Sequence, residues 1–132
     1  LFVEHFQKYQ TVWNGEGGTT YFYQSELPYD VPDQASWSPD GNVNGYASYY
    51  VADTVTAHKA YALGVYSYLR DAAVTLDSAI LCPQTAGVEF NHMVTVWLSG
   101  KSASSVNSVI NGVGAAATNE NTVSVLNKYS NN

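Results

Sequence analysis

Glu4 and Glu26 are the two residues of this 132-residue chain whose type and spacing could do chemistry together. Glu26 stands in TYFYQSELPYDVP, residues 20–32, where Tyr21, Phe22 and Tyr23 run into Gln24, Ser25 and the glutamate. Leu27-Pro28-Tyr29-Asp30 then turns the chain away, and Glu26 is the only acid between Tyr21 and Tyr29. A carboxyl in such apolar, aromatic surroundings is expected to have a raised pKa, because desolvation disfavours the charged form. One that keeps its proton near neutrality is what a general acid requires. Glu4 lies 22 residues upstream (26 − 4). Repeat periods of about 20–25 residues put equivalent positions on adjacent coils of a β-solenoid, so the two glutamates are expected to be neighbours. Two carboxyls flanking one site suit glycoside hydrolysis: one protonates the leaving oxygen, the other activates water or attacks. The spacing by itself is weak, since any five glutamates yield some such pair.

The elements that must position this pair read as short strands. Leu1–Tyr9 alternates as a strand and Gln10–Trp13 continues extended. Asn14–Gly18 is a glycine turn, with no helix behind it to make a phosphate cradle. Thr19–Gln24 is the returning strand. Pro28–Asn44, with Pro28, Pro32, Pro39 and Asp40-Gly41, is a long loop. Trp37 in its middle is either the anchor of that loop or a sugar platform, and burial of a large aromatic favours the anchor. Gly45–Val55 and Ala60–Leu69 are tyrosine-rich strands. Val74–Leu81, Val88–Phe90, Met93–Leu98, Val106–Ile110 and Val123–Leu126 are further apolar runs, with Asn91-His92 dividing the middle two. Short β runs every 10–15 residues, separated by Asn, Gly and Ser, fit an all-β sandwich, barrel or β-helix.

Composition narrows the chemistry. Eleven acids against five bases give a net charge of −6, which argues against nucleic acid, whose backbone needs clustered Lys and Arg. Eleven Tyr and three Trp with few charges suit neutral polysaccharide, although Tyr is also simply a good strand residue. No apolar run has the length of a membrane helix. Cys82 is the single cysteine and reads as a buried thiol, or as one paired outside this stretch. His5, His58 and His92 make no metal-ligand spacing, and no metal or organic cofactor is expected. His58 reads as a structural hydrogen-bonding histidine. The chain starts at Leu1 inside an apolar run, so it is expected to come from something larger.

Several strings carry a resemblance: FVEHFQKYQTVWNGEGGTTYFYQSELPYDVP, GYASYYVADTVTAHKAYALGVYSYL, HMVTVWLSG and VINGVG. Together they resemble the C-terminal part of the exo-β-1,3-glucanases, the laminarinases of glycoside hydrolase family 55. The resemblance implies a right-handed parallel β-helix, one of two in tandem with the substrate cleft between them. Residues 1–132 would be a single domain, the C-terminal portion, with the N-terminal β-helix portion as partner. It implies a secreted, extracellular enzyme that removes glucose from the non-reducing end of β-1,3-glucan with inversion. By the same resemblance Glu26 of QSELPYD is the general acid, Glu4 of VEHF helps hold the attacking water, and Tyr29 touches substrate. Tyr23, Gln24 and Trp13 are added as substrate-binding residues for their nearness to the motif. A non-catalytic β-glucan-binding module or secreted recognition protein, and a structural all-β domain, stand as rivals.

Overall fold

The computed structural model describes residues 1–131, which contain strands, turns and loops but no helix. Ten strands follow the chain: β1 (Phe2–Glu4), β2 (Thr11–Trp13), β3 (Gly18–Glu26), β4 (Tyr49–Val51), β5 (Ala57–Leu69), β6 (Thr75–Leu76), β7 (Ile80–Leu81), β8 (Gly87–Gly100), β9 (Ser105–Val106) and β10 (Val123–Ser130). They form three sheets, ordered β1-β3-β5-β8-β10, β2-β4-β7 and β6-β9. Among the described residues every pairing between strands but one is parallel, and each strand pairs with its counterpart from the next pass of the chain. Only β10 runs antiparallel, closing the free edge of β8. Glu4, Glu26, Tyr66 and Val96 thus occupy one rung on four neighbouring strands.

Each long strand bends at one residue. Phe22, Ala62 and His92 have φ of 57, 60 and 55°, the left-handed region that non-glycine residues seldom enter. They fall at the same level: the registers run Tyr21–Tyr61–Asn91 on one side of them and Tyr23–Leu63–Met93 on the other. The extra residue shifts the in–out alternation by one. Thr20, Ala60 and Phe90 are buried before the corner, and Tyr23, Leu63 and Met93 after it. Both limbs therefore turn their apolar side chains to one interior.

That interior is apolar with a threaded polar ladder. Leu27, Tyr49, Val65, Leu76, Ile80, Phe90 and Ile110 are all buried. The Ser48 hydroxyl donates to Ser25 at 2.6 Å, and the Tyr23 hydroxyl reaches Ser48 Oγ at 3.1 Å, so these interior hydroxyls have partners. His58, 1% exposed, meets the Tyr49 hydroxyl through Nε2 at 3.0 Å and is structural, as its sequence context suggested. Trp37 is buried and its Nε1 donates to the Gln7 carbonyl at 3.1 Å, pinning the 28–44 loop as an anchor. Cys82 is a buried free thiol whose pKa burial pushes up to about 12.

Several strands are shorter than their residue patterns suggest. The first ends at Glu4 because His5 takes φ 63°. Within 45–55 only Tyr49–Val51 pairs, since Gly45 at φ 74° lies against Leu76 and Trp37 and the chain is still in loop there. The 74–81 run breaks into β6 and β7. Conversely, Asn91-His92 does not end a strand: β8 runs through it, and His92 is its corner.

Candidate active site

The register puts Glu4 beside Glu26, at the ends of β1 and β3. Directly paired residues of a parallel sheet point to the same face, so the two carboxyls share one surface. Glu4 is exposed, while Glu26 is partly covered, its side chain 22% exposed.

Three features hold Glu26. Leu27, immediately after it, is buried and donates its N–H to the Tyr66 carbonyl at 2.9 Å, fixing the strand end. The proline-directed turn brings Tyr29 back, so that its hydroxyl donates to Glu26 Oε2. His5 reaches the same oxygen through Nε2 at 3.1 Å, and its backbone N–H donates to the Glu26 carbonyl at 3.0 Å. The His5 and Tyr29 rings lie 4.3 Å apart, tilted against each other. The φ of 63° at His5 is what swings its ring off the strand and toward Glu26.

These partners overturn the expected raised pKa. The Tyr29 hydrogen bond stabilises the carboxylate, burial opposes it, and the hydrogen bond and charge of His5 add to the first effect. The carboxyl is held below its ordinary range, because both donors favour the ionised form and together outweigh burial. The reciprocal effect on Tyr29 is large. Its phenol is pushed up to about 12, first by the hydrogen bond to Glu26, then by burial and by the charges of Glu26 and Glu4. Glu4, the rung partner of Glu26, adds to the negative field at Tyr29.

Beyond Tyr29 the site becomes polar. Gln7 Nε2 donates to Asp30 Oδ1 at 2.7 Å, and Arg70 N–H donates to the Tyr29 carbonyl at 3.0 Å. His5, Gln7, Tyr29, Asp30 and Arg70 line one open hollow of about 220 Å³ next to the carboxyl pair. His5, Gln7, Asp30 and Arg70 escaped the sequence reading. The signal for His5 was present, since it follows Glu4 in VEHF, but nothing in a strand pattern announces a left-handed residue. Among the described residues no cluster of His, Cys, Asp or Glu could hold a metal ion.

Two of the expected substrate-binding residues are elsewhere. Tyr23 is 1% exposed and its ring packs on Tyr49 in the interior, so it offers no face to a ligand. The slip of alternation at Phe22 turned it inward. Trp13 lies at the opposite end of β3, over Gly18 and 5.0 Å from the His58 ring. Gln24 does stand on the Glu26 face, two residues before it.

Comparison with known proteins bears on this geometry. The LAM55 pectate lyase-like domain matches residues 1–26, the stretch bearing both glutamates. Over 124 residues the chain is 40% identical to an exo-beta-1,3-glucanase of Streptomyces sp. (strain SirexAA-E / ActE). It resembles an exo-beta-1,3-glucanase. The match covers 93% of this chain and 20% of that protein, so the chain spans about a fifth of its relative's length. The solved structure of sacteLam55A from Streptomyces sp. SirexAA-E superposes with a TM-score of 0.90 at 37% identity, covering 98% of this chain and 23% of that one. A variant of sacteLam55A in complex with glucose superposes at 0.89 with 35% identity and the same coverage. The likeness to these laminarinases read from QSELPYD and VEHF is therefore matched along nearly the whole chain, in sequence and in backbone.

Proposed function

We propose that this chain is the C-terminal, acid-bearing portion of a secreted glycoside hydrolase that releases glucose from the non-reducing end of β-1,3-glucan with inversion. The observation that carries the reading is the Glu4–Glu26 rung, held by His5 and Tyr29, in a chain similar over its length to a glucanase. The stacked parallel passes, bent at a left-handed corner, support a right-handed parallel β-helix as its architecture. The N-terminal β-helix portion of a longer protein is the expected partner and supplies the other wall of the cleft. Substrate polymer outside the cell is consistent with a secreted enzyme.

In this mechanism protonated Glu26 donates to the glycosidic oxygen as the bond to the anomeric carbon breaks. Water attacks that carbon from the opposite face, its proton accepted by a carboxylate, with Glu4 helping to orient it. Tyr29 holds Glu26 in place and borders the leaving sugar. Register-paired strands stand about 4.8 Å apart, and glutamate side chains splaying from them reach the roughly 6.5–9.5 Å that leaves room for water. Covering the site with glucan and the second wall adds desolvation, which favours the proton on Glu26. The test is the anomer first released from laminarin by the intact protein, followed by NMR. Inversion delivers α-glucose before mutarotation; β-glucose first would mean a retaining nucleophile and overturn the roles given.

The second reading is a non-catalytic β-glucan-binding module. It draws on the lowered pKa of Glu26, since a carboxylate accepts hydrogen bonds from sugar hydroxyls but has no proton to give.

A further inference from the structure

The face bearing the two glutamates continues back along the strands into a second hollow. Gln24 lies two residues before Glu26 on that face, in register with Gly64 and, one strand on, Val94. Gly64 has no side chain, and a Cβ there would meet the Tyr66 ring at 2.8 Å. The Tyr66 ring therefore leans over the glycine, and Tyr66 is itself the register partner of Glu26. The ring, seated where a side chain at 64 would stand, borders a hollow of about 200 Å³ lined by Phe22, Gln24, Gly64, Tyr66, His92 and Val94 among others.

The corner explains its rim. Phe22 and His92 are both left-handed corner residues on the same level, and both are exposed, Phe22 to 64%. An exposed Phe in a strained backbone position is an expensive arrangement with no role in the core. Here Phe22 and the Tyr66 ring, seated over Gly64, are the aromatic faces, with the Gln24 amide and the His92 imidazole beside them. Flat apolar faces with a few polar groups are what an amphipathic sugar ring requires: stacking on its C–H face, hydrogen bonds to its hydroxyls. Two strand residues span about 6.6 Å, so the hollow is one sugar unit or so from Glu26.

We propose that this hollow is a subsite for a neighbouring glucosyl unit of a β-1,3-glucan whose scissile bond lies at Glu26. It rests on the glycosidase reading above. Phe22 and Tyr66 stack on the sugar, Gly64 lets the Tyr66 ring lie in place, and Gln24 and His92 bond its hydroxyls.

The experiment measures kcat/KM on laminari-oligosaccharides of increasing length with the intact wild-type protein, Phe22→Ala, Gly64→Ala and the remote control Lys59→Ala. Wild type and control should gain efficiency with length. The gain should fall about tenfold in Phe22→Ala and Gly64→Ala, the order lost with one apolar contact in a pocket. Phe22 is exposed in this chain, and a Phe22→Ala protein whose thermal midpoint matches wild type decides the question alone. An unchanged length dependence, in an enzyme that does cleave the oligosaccharides, would overturn the subsite and mean that another part of the protein covers the hollow. No cleavage of any length by wild type would overturn the glycosidase reading, and the subsite with it.

Discussion

In the proposed mechanism Glu26 gives up a proton, and its neighbours within this chain hold it as a carboxylate. The Tyr29 hydroxyl and His5 both donate to one of its oxygens. Its pKa lies below the ordinary glutamate range, so the acid form is scarce at neutral pH and grows as the pH falls. Activity is accordingly expected to rise as the pH falls from 7 and to go on rising through the ordinary glutamate range, about pH 4–5, because the lowered pKa sets the basic limb below it. Tyr29→Phe removes the largest stabiliser of the carboxylate, so the pKa of Glu26 rises and the basic limb of the kcat/KM profile moves to higher pH. Turnover at the optimum should fall by about 10–100-fold as positioning is lost. The profile measured on laminarin checks both; a basic limb that stays put would mean that Tyr29 does not govern the acid. At this scale the carboxyl pair was legible, because QSELPYD and VEHF name their residues. The direction of the pKa shift was not. Apolar neighbours in sequence suggested burial, whereas the deciding groups were two donors brought in by a turn and by a left-handed histidine.

The strands set the distance between the carboxyls, and their rungs depend on close approach at the ends of β5 and β8. Gly87 pairs with Ala57, and a Cβ at Gly87 would fall 2.1 Å from the Thr56 carbonyl oxygen. Backbone cannot yield as a flexible side chain can. Gly87→Ala should cost about 1–3 kcal/mol or more, read as a lower denaturant midpoint at unchanged slope. Gly112→Ala, where nothing lies within 4 Å but φ is +77°, isolates the smaller cost of the backbone conformation alone. Equal effects at both would count against the steric account. Strand existence was readable from tyrosine- and valine-rich runs, and the Asn91-His92 break did mark a special place. What the residue pattern could not show is that Phe22, Ala62 and His92 form one corner, since Phe, Ala and His share no propensity for positive φ. That corner decided which of Tyr21, Phe22 and Tyr23 turned inward, and Tyr23 was assigned to the wrong side for that reason.

Taken whole, the chain is a stack of parallel passes whose outer face carries Glu4, Glu26, Gln24 and Tyr66 in adjoining rungs. The parallel stacking was an expectation of the resemblance, with which the weak glutamate spacing agreed for one pass only, since later passes are longer: Glu26 and Tyr66 are rung partners 40 residues apart. The loop at 28–44 accounts for that length, and Trp37 seals it to the body. The chain spans about a fifth of its relative, and in the proposed reading this open face with its carboxyl pair is one wall of a cleft. The central claim is that this face does acid catalysis and does not merely bind. Turnover of laminarin by the intact protein with Glu26→Gln, alongside its glucan affinity, tests that most directly. The amide keeps the shape and loses the proton, so glucose release should drop by at least about 10³-fold, beyond the 10²–10⁴-fold range's lower bound for a lost general acid, with affinity within a few-fold of wild type. A variant that releases glucose at the wild-type rate would contradict the account.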